Sequence, residues 1–362
     1  MSAVRIWRLI LIGFVTFLAI GPRGLPVRAG TVPYQVTSLG TLGGPTSSGL
    51  AINNQGQIAG VADLPGGKTY HGVVWQAQTM TNVGALGGPD SVVLVINNLG
   101  EAAGTADVAK AGDGTAHFCE GPVNACHAVL WKNGVLHDLG TLGGLSSQAI
   151  GINDLGQVVG NSETSTYGQG SPFLWENGKM KVLGGPISRY DTAGASAIND
   201  KGQVVGIFAT PDNTSHHVYL WYKNKMTDLG VGDGIASDAF SINNHGQVVG
   251  GIVMADNVTT HAFEWRNGAI HYLPTYAGDS ASFSYTINDA GVSVGYSYKG
   301  QTFSRAVLWR AGKVIDLNTL IPAGSGWHLD WAQGINAQGR IVGQGTFHGK
   351  KRGFLLTPVQ SQ

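Results

Sequence analysis

Aromatic residues stand beside acidic, basic or histidine side chains at three places in this chain of 362 residues. Aromatic faces stack on the apolar faces of sugar rings while neighbouring polar groups hold the hydroxyls, so these groupings indicate a carbohydrate-binding surface. The candidate ligand-binding residues are Tyr190, Asp191, Tyr276, Asp279, Trp327, His328, Asp330 and Trp331. An alternative stays open for Trp327 and Trp331, which could instead fill gaps between unequal repeats. For Phe283 and Tyr285 that packing role is favoured.

The same groupings would also serve a polysaccharide-active enzyme. A lyase needs a base and a group that neutralises the uronate, and Arg189, Tyr190 and His328 are the candidate catalytic residues for that chemistry. A retaining glycoside hydrolase needs two carboxylates about 5–5.5 Å apart. The better carboxylate candidates are Asp191, Asp279 and Asp330. Since nothing in the sequence pairs them, and no G-x-S-x-G, H-E-x-x-H or phosphate-loop signature occurs, the sequence favours binding over catalysis.

The elements that must position these residues are repeats. The motif I-N-x-x-G-x-x-x-G occurs seven times, and successive copies start between 44 and 56 residues apart. A period of this size is typical of a β-propeller or a solenoid. The copies start at Ile52, Ile96, Ile152, Ile198, Ile242, Ile287 and Ile335.

Each repeat reads as four short antiparallel strands, which we denote a to d. In the third copy, Asn153 to Gly156 predicts the turn between strands a and b, because Asn and Asp satisfy their own turn backbone and Gly accepts a positive φ. Strand c follows at Phe173 to Trp175, and Asn177–Gly178 predicts the hairpin to strand d. Four such strands make a propeller blade. A Trp recurs at the end of strand c, and we expect it to pack in the blade core.

The last repeat lacks its fourth strand, because the chain ends soon after strand c at residues 354–356. Before the first repeat, residues 36–44 match strand d and its following loop in the second repeat, residues 138–144. We therefore expect the N-terminal strand to complete the last blade and remove the unpaired edges. The predicted fold is all-β, a seven-bladed β-propeller of four-stranded antiparallel blades, with an open solenoid as the alternative.

In such a ring the d–a and b–c loops emerge on one face, which we call the loop-rich face. The a–b and c–d turns emerge on the other, which we call the turn face. The turns are short and repetitive, which indicates a structural role, whereas the loops vary in length and chemistry, as functional loops do. The recurrent Asn of the motif, from Asn53 to Asn336, is interpreted as turn chemistry rather than as a calcium ligand, because alternating carboxylates are missing from the motif.

Residues 1–29 predict a secretory signal peptide. Arg5 and Arg8 form its basic region, Leu9 to Ile20 is an apolar stretch too short for a comfortable membrane span, and cleavage is expected near Ala29. Residues 30–362 would then form one secreted or periplasmic propeller domain without a membrane span. The formal net charge is +0 and no basic block occurs, which argues against a nucleic-acid partner. We predict no cofactor and expect a monomer.

The chain has two cysteines, Cys119 and Cys126, in the longest insertion of any repeat, between strands b and c of the second copy. In an exported protein the favoured interpretation is a disulfide that closes this loop. The alternative is a metal site, since His117 and His127 would add two ligands. The spacing is not a standard zinc pattern, so no metal is predicted.

In its motifs the chain resembles the HAF-repeat family of extracellular bacterial repeat proteins. The tripeptide that names the family stands in strand c as His261–Ala262–Phe263, and nearly so as His127–Ala128–Val129. The Leu-Gly-Thr-Leu-Gly-Gly and I-N-x-x-G-Q elements also match. The resemblance covers residues 30–362 and implies an exported repeat protein, but it brings no active-site pattern and assigns no catalytic residue.

We therefore expect an exported propeller that binds a polysaccharide or another cell-surface component through its loop-rich face. The alternatives are a polysaccharide lyase or glycoside hydrolase, and a structural scaffold that binds other proteins with its flat ring faces.

The predicted disulfide can be tested by thiol titration of the exported protein, unfolded without reductant. We expect no free thiol before reduction and two after it, because Cys119 and Cys126 are the only cysteines. Two free thiols in the unreduced protein would contradict the disulfide.

Overall fold

The computed structural model describes residues 33–359, apart from residues 78, 112–123, 165–169, 185–192, 211–213 and 301–302. Within these ranges the protein is all-β, with seven four-stranded antiparallel sheets arranged in a ring and a single short 3-10 helix, Leu317–Leu320. The predicted seven-bladed β-propeller is therefore confirmed.

The strands are numbered along the chain, and each blade is numbered by its position after the first strand, β1 (Tyr34–Ser38). Blades 1 and 2 contain β2 (Ser47–Ile52), β3 (Ile58–Asp63), β4 (Tyr70–Gln76), β5 (Thr79–Asn82), β6 (Gly87–Ile96), β7 (Ala102–Ala111), β8 (Asn124–Lys132) and β9 (Val135–Asp138). Blades 3 and 4 contain β10 (Gly143–Ile152), β11 (Val158–Thr164), β12 (Gly170–Glu176), β13 (Lys179–Val182), β14 (Ala193–Ile198), β15 (Val204–Ala209), β16 (His216–Tyr222) and β17 (Lys225–Gly230).

The remaining blades follow the same order. Blades 5 and 6 contain β18 (Ala236–Ile242), β19 (Val248–Val253), β20 (Thr260–Arg266), β21 (Ala269–Tyr272), β22 (Ala281–Ile287), β23 (Ser293–Lys299), β24 (Phe303–Arg310) and β25 (Lys313–Asp316). Blade 7 contains β26 (Trp327–Ile335), β27 (Ile341–Phe347), β28 (Lys350–Pro358) and β1. The first strand of every blade contacts the first strands of both neighbouring blades, so these seven strands surround the axis.

The N-terminal strand closes the ring, as the sequence predicts. β1 pairs antiparallel with β28, from Tyr34 opposite Pro358 to Ser38 opposite Phe354. The Leu39 backbone N–H donates to the Gly353 carbonyl at 2.9 Å, which extends the seam beyond the strand. Because β1 occupies the outer edge of blade 7, that blade has the same four strands as the others.

The recurrent Asn of the motif organises the turn between the first and second strands. In blade 1, Asn53 Oδ1 accepts the backbone N–H groups of Gln55 and Gln57 at 3.1 and 2.8 Å. Gly56 lies between them with a φ of +80°, which only glycine adopts at low cost. The Asn53 side chain is therefore an integral part of the turn, in agreement with the predicted turn role.

The same Asn side chains also join each blade to the next. Asn53 Nδ2 donates to the Asn97 carbonyl of blade 2 at 2.9 Å, and Asn336 Nδ2 of blade 7 donates back to the Asn53 carbonyl at 3.0 Å. The five intervening bonds have lengths of 2.9–3.1 Å. The seven bonds form a closed circle around the axis, which we call the asparagine ring.

The apolar core lies between blades and repeats with the motif. The third strand contributes the residue at the Phe position of the HAF tripeptide, and Phe173, Tyr219 and Phe263 are at most 1% exposed. The recurrent Trp of the same strand packs into these clusters, with Trp309 only 2% exposed. The predicted packing role of the recurrent Trp is thereby confirmed.

Some predictions fall outside the described residues. The signal peptide, residues 1–29, and Cys119 are among them. Cys126 is buried on β8 and is not a free cysteine, and its disulfide with Cys119 stays a prediction. Within the described ranges, no helix is both long enough and apolar enough to span a membrane.

Replacing a single member of the asparagine ring should destabilise the whole propeller. Asn53 is 4% exposed, and Asn53→Ala would leave the Gln55 and Gln57 turn N–H groups without their acceptor and would remove one of the two hydrogen bonds to the buried Asn97 carbonyl. We expect a loss of about 1–3 kcal/mol in the free energy of unfolding, measured by urea denaturation with tryptophan fluorescence. The matched control is Asn54→Ala, which also removes a hydrogen bond between blades, from the Ala337 N–H, but at an exposed position where water can replace it. Equal losses for the two variants would contradict the role given to the ring.

Candidate binding site on the loop-rich face

One predicted group, Tyr276 with Asp279, is held together by an arginine that the sequence did not single out as a site residue. Arg305 on β24 binds Asp279 through two hydrogen bonds of 3.0 and 3.2 Å and reaches Asp316 at 3.1 Å. Its guanidinium also lies over the Tyr276 ring, 4.4 Å from the centroid. The Asp279 side chain is completely buried, so this cluster braces the loop between blades 5 and 6.

Arg305 occupies the His position of the HAF tripeptide, and in other blades that histidine has a similar structural partner. His127 and His217 pair with Asp138 and Asp228 of the fourth strand at 2.8 and 2.9 Å. Desolvation raises the pKa of the Asp138 carboxyl, but hydrogen bonds from His127 and from the Gly140 backbone outweigh it and hold that pKa below its usual value. The tripeptide histidine thus ties the third strand to the fourth.

The second predicted group runs from Trp327 to Trp331, and its side chains lie in different environments. Trp327 stacks on Phe347 with 4.7 Å between ring centroids and packs against the buried Phe354, so its indole contributes to the core of blade 7. His328 Nδ1 and Lys351 Nζ lie 2.9 and 2.7 Å from the two carboxylate oxygens of Asp330. These three residues form an ion-pair cluster that is partly open to solvent at His328 and Lys351.

Trp331 belongs to a different cluster, of six aromatic side chains on the first two strands of blades 5, 6 and 7. We call it the aromatic cluster, and it consists of Phe240, Phe283, Tyr285, Tyr296, Tyr298 and Trp331. Phe283 lies nearly parallel to Tyr296 and Tyr298, with centroid distances of 5.3 and 6.5 Å. All six side chains are half-buried, so part of each remains accessible to solvent.

The aromatic cluster depends on an irregularity of the first strands. The first strands of blades 5 and 6 each have a register shift of one residue, and the extra residue is Phe240 in blade 5 and Tyr285 in blade 6. A bulge of this kind redirects side chains relative to a regular strand. In blade 5, Gly251 leaves room for the Phe283 ring, which lies 2.6 Å from the place where a Cβ would stand. Phe283 and Tyr285 therefore pack against neighbouring blades, as the sequence favoured, but both side chains are also partly exposed.

One polar atom in the aromatic cluster has no partner. The indole Nε1 of Trp331 is buried and donates to no acceptor in the part of the chain that the structure describes. A buried donor without an acceptor is costly, at about 1–3 kcal/mol.

The other predicted site residues, Arg189, Tyr190 and Asp191, lie outside the described residues. The lyase trio with His328 is therefore untested. Asp279 and Asp330, the two described carboxylates proposed for a hydrolase, are both held in ion pairs.

Comparison with known proteins supports the fold. No protein-family model matches this chain, and no curated protein matches it either. The β-propeller domain of the Trilobed protease from Pyrococcus furiosus is similar in structure, with a TM-score of 0.56 and 9% identity over 87% of this chain and 97% of that chain. That domain is described as having an open velcro topology, whereas β1 closes the ring here.

A second similar structure is the acylaminoacyl peptidase from Pyrococcus horikoshii, with a TM-score of 0.52 and 10% identity. The match covers 89% of this chain and 52% of the peptidase, so this chain spans about half the length of that protein. At such low sequence identities, both structural similarities support the propeller fold and nothing about function.

Because of its buried tyrosines, the aromatic cluster should make the folded protein less stable at alkaline pH. Burial raises the pKa of Tyr285 to about 12 and raises that of Tyr296 as well, from an ordinary value of 10.0. The folded state then holds these protons more tightly than the unfolded chain, so the stabilisation is complete below about pH 10 and is lost as the pH rises through about 12.

We expect the free energy of unfolding, measured in urea, to fall over this alkaline range. The fall should be smaller in Tyr285→Phe, because the phenyl ring has no proton to lose. Identical pH slopes for the two proteins would show that Tyr285 does not contribute.

Proposed function

We propose that this protein is an exported binding module that recognises a carbohydrate or another cell-surface component through its loop-rich face. The observation that carries the proposal is the aromatic cluster of blades 5 to 7, a contiguous set of six half-buried rings. The signal-peptide pattern of residues 1–29 and the resemblance to HAF-repeat proteins support export.

Sugar recognition combines ring stacking with hydrogen bonds, and the aromatic cluster offers both. The rings of Phe283, Tyr296 and Tyr298 lie within 22° of parallel to one another and provide a stacking surface. The hydroxyl of the half-buried Tyr298 can bond to sugar hydroxyls. The loops that precede β18, β22 and β26 vary between blades, as is usual near binding sites on rigid scaffolds.

The ion pairs of the described carboxylates favour binding over hydrolysis. Asp279 is buried under Arg305, and Asp330 is shared by His328 and Lys351. A nucleophile or general acid needs access to the glycosidic bond, which Asp279 lacks. Asp279 instead braces the loop between blades 5 and 6, and Asp330 joins strands β26 and β28 of blade 7.

The proposal predicts that substitutions in the aromatic cluster weaken polysaccharide binding. We expect the mature protein to bind at least one ligand on a broad polysaccharide array, and Trp331→Ala or Tyr298→Ala to weaken that binding about tenfold or more, because each removes a stacking surface. Affinities would be measured by isothermal titration calorimetry, and urea unfolding would confirm that each variant is folded.

Tyr222→Ala is the matched control, since Tyr222 is a 37% exposed aromatic residue at the end of β16, next to the turn with Lys223 and far from the cluster. Binding that survives in both cluster variants would place the site elsewhere. Absence of binding to every polysaccharide would favour a protein partner, and release of reducing ends or unsaturated uronates would show an enzyme.

A further inference from the structure

The turn face carries a second circle of hydrogen bonds outside the asparagine ring. It is formed by the residue that follows the recurrent Asn, and we call these positions the outer ring. Its members are Asn54, Asn98, Asp154, Asp200, Asn244, Asp289 and Ala337. Each polar side chain accepts the backbone N–H of the same position in the preceding blade at 2.7–2.9 Å. Ala337 has no acceptor to offer and leaves one gap.

Together the two rings line a cavity on the axis, open on the turn face. Its volume is about 240 Å³, and its floor is formed by the isoleucines that begin each motif. None of the lining residues is aromatic, so the cavity offers no stacking surface for a sugar. It offers amide and carboxylate oxygens.

Three of the seven outer-ring residues are acidic, and no basic side chain neutralises them. Asp154, Asp200 and Asp289 take part in none of the ion pairs of the described residues. Within the same residues, no three acidic, histidine or cysteine side chains converge closely enough to hold a metal ion. In this part of the chain the three carboxylates accept hydrogen bonds only from neutral amides, so they leave the rim of the cavity negatively charged. A negative rim of this kind suits a cationic group such as an ammonium or guanidinium.

Two exposed leucines stand beside this cavity. Leu99 and Leu155 occupy the tips of neighbouring a–b turns and are 67% and 69% exposed. The same position in the other five repeats is Gln55, Lys201, His245, Ala290 and Gln338. Since the turn needs no apolar residue there, the pair is a feature of the surface of blades 2 and 3.

We propose that the turn face is a docking surface for a polypeptide that inserts a lysine or arginine side chain into the axial cavity and places apolar side chains on Leu99 and Leu155. Charge complementarity identifies the occupant, because an acidic rim beside an apolar pair matches a basic residue flanked by apolar ones. This site is separate from the loop-rich face, so it neither requires nor excludes the binding function proposed above.

The test is selection of a random dodecapeptide phage library on the immobilised mature protein. We expect the enriched peptides to share a lysine or arginine next to apolar residues. A synthetic copy of one such peptide, titrated by calorimetry, should lose about tenfold or more in affinity with the triple variant Asp154→Asn/Asp200→Asn/Asp289→Asn, and its affinity for the wild type should fall as salt is added.

The variants are chosen to preserve the fold. Asparagine already occupies positions 54, 98 and 244 of the outer ring and keeps the oxygen that accepts the backbone N–H, so the triple variant removes the charge and retains that bond. It also replaces the oxygens that accept from the Asn98 and Asn244 side chains, so urea unfolding is used to confirm that the variant is folded. The double variant Leu99→Gln/Leu155→Gln introduces the residue that two other repeats carry, and it should also weaken the peptide about tenfold.

Val258→Gln is the control, because Val258 is 73% exposed on the loop-rich face, and this variant should bind the peptide as the wild type does. The proposal is overturned if no peptide is enriched, if the enriched peptides lack a basic residue, or if affinity is unchanged in the triple and double variants.

Discussion

The propeller depends on one side-chain amide per blade. The recurrent Asn uses its oxygen to hold its own turn and its nitrogen to bind the carbonyl of the next blade, so local and long-range structure share one group. The seven amides are buried, or nearly so, at the axis, where an unpaired group is costly. Each Asn side chain therefore forms its full set of hydrogen bonds only when the next blade is in place, and the last bond, Asn336 to Asn53, requires a complete circle.

Because the asparagine ring fixes the blades at the turn face, the loops and outer strands of each blade can differ in sequence from those of the other blades. Blades 2 and 4 tie their outer strands with a His–Asp pair, whereas blade 6 uses Arg305 to gather two carboxylates and a tyrosine. The same blade contributes four of the six rings of the aromatic cluster. The rigid inner turns and the variable loops thus divide the molecule into a scaffold and a surface that can specialise.

Blade number, strand order and ring closure could be predicted from the sequence, because turn residues and strand patterns are local and recur with the repeat. The aromatic cluster could not, since its members lie on four strands and two of them are bulge residues. Strict alternation would put Trp327 and Trp331 on one face, but a register shift between Leu329 and Trp331 separates them. The outer ring could not be predicted from the sequence either, because Asn and Asp are common in turns whether or not they bond to a neighbouring blade.

The closure of blade 7 by β1 also has a kinetic consequence. The other six blades are built from consecutive hairpins, whereas the seam joins residues more than 300 positions apart, as in the bond from Tyr34 to Gly339. Bringing together the ends of so long a loop costs on the order of 5 kcal/mol in chain entropy. The pairing of β1 with β28 should therefore form last during folding. Heat or pulling force should detach β1 first, so that the ring opens before any blade unfolds.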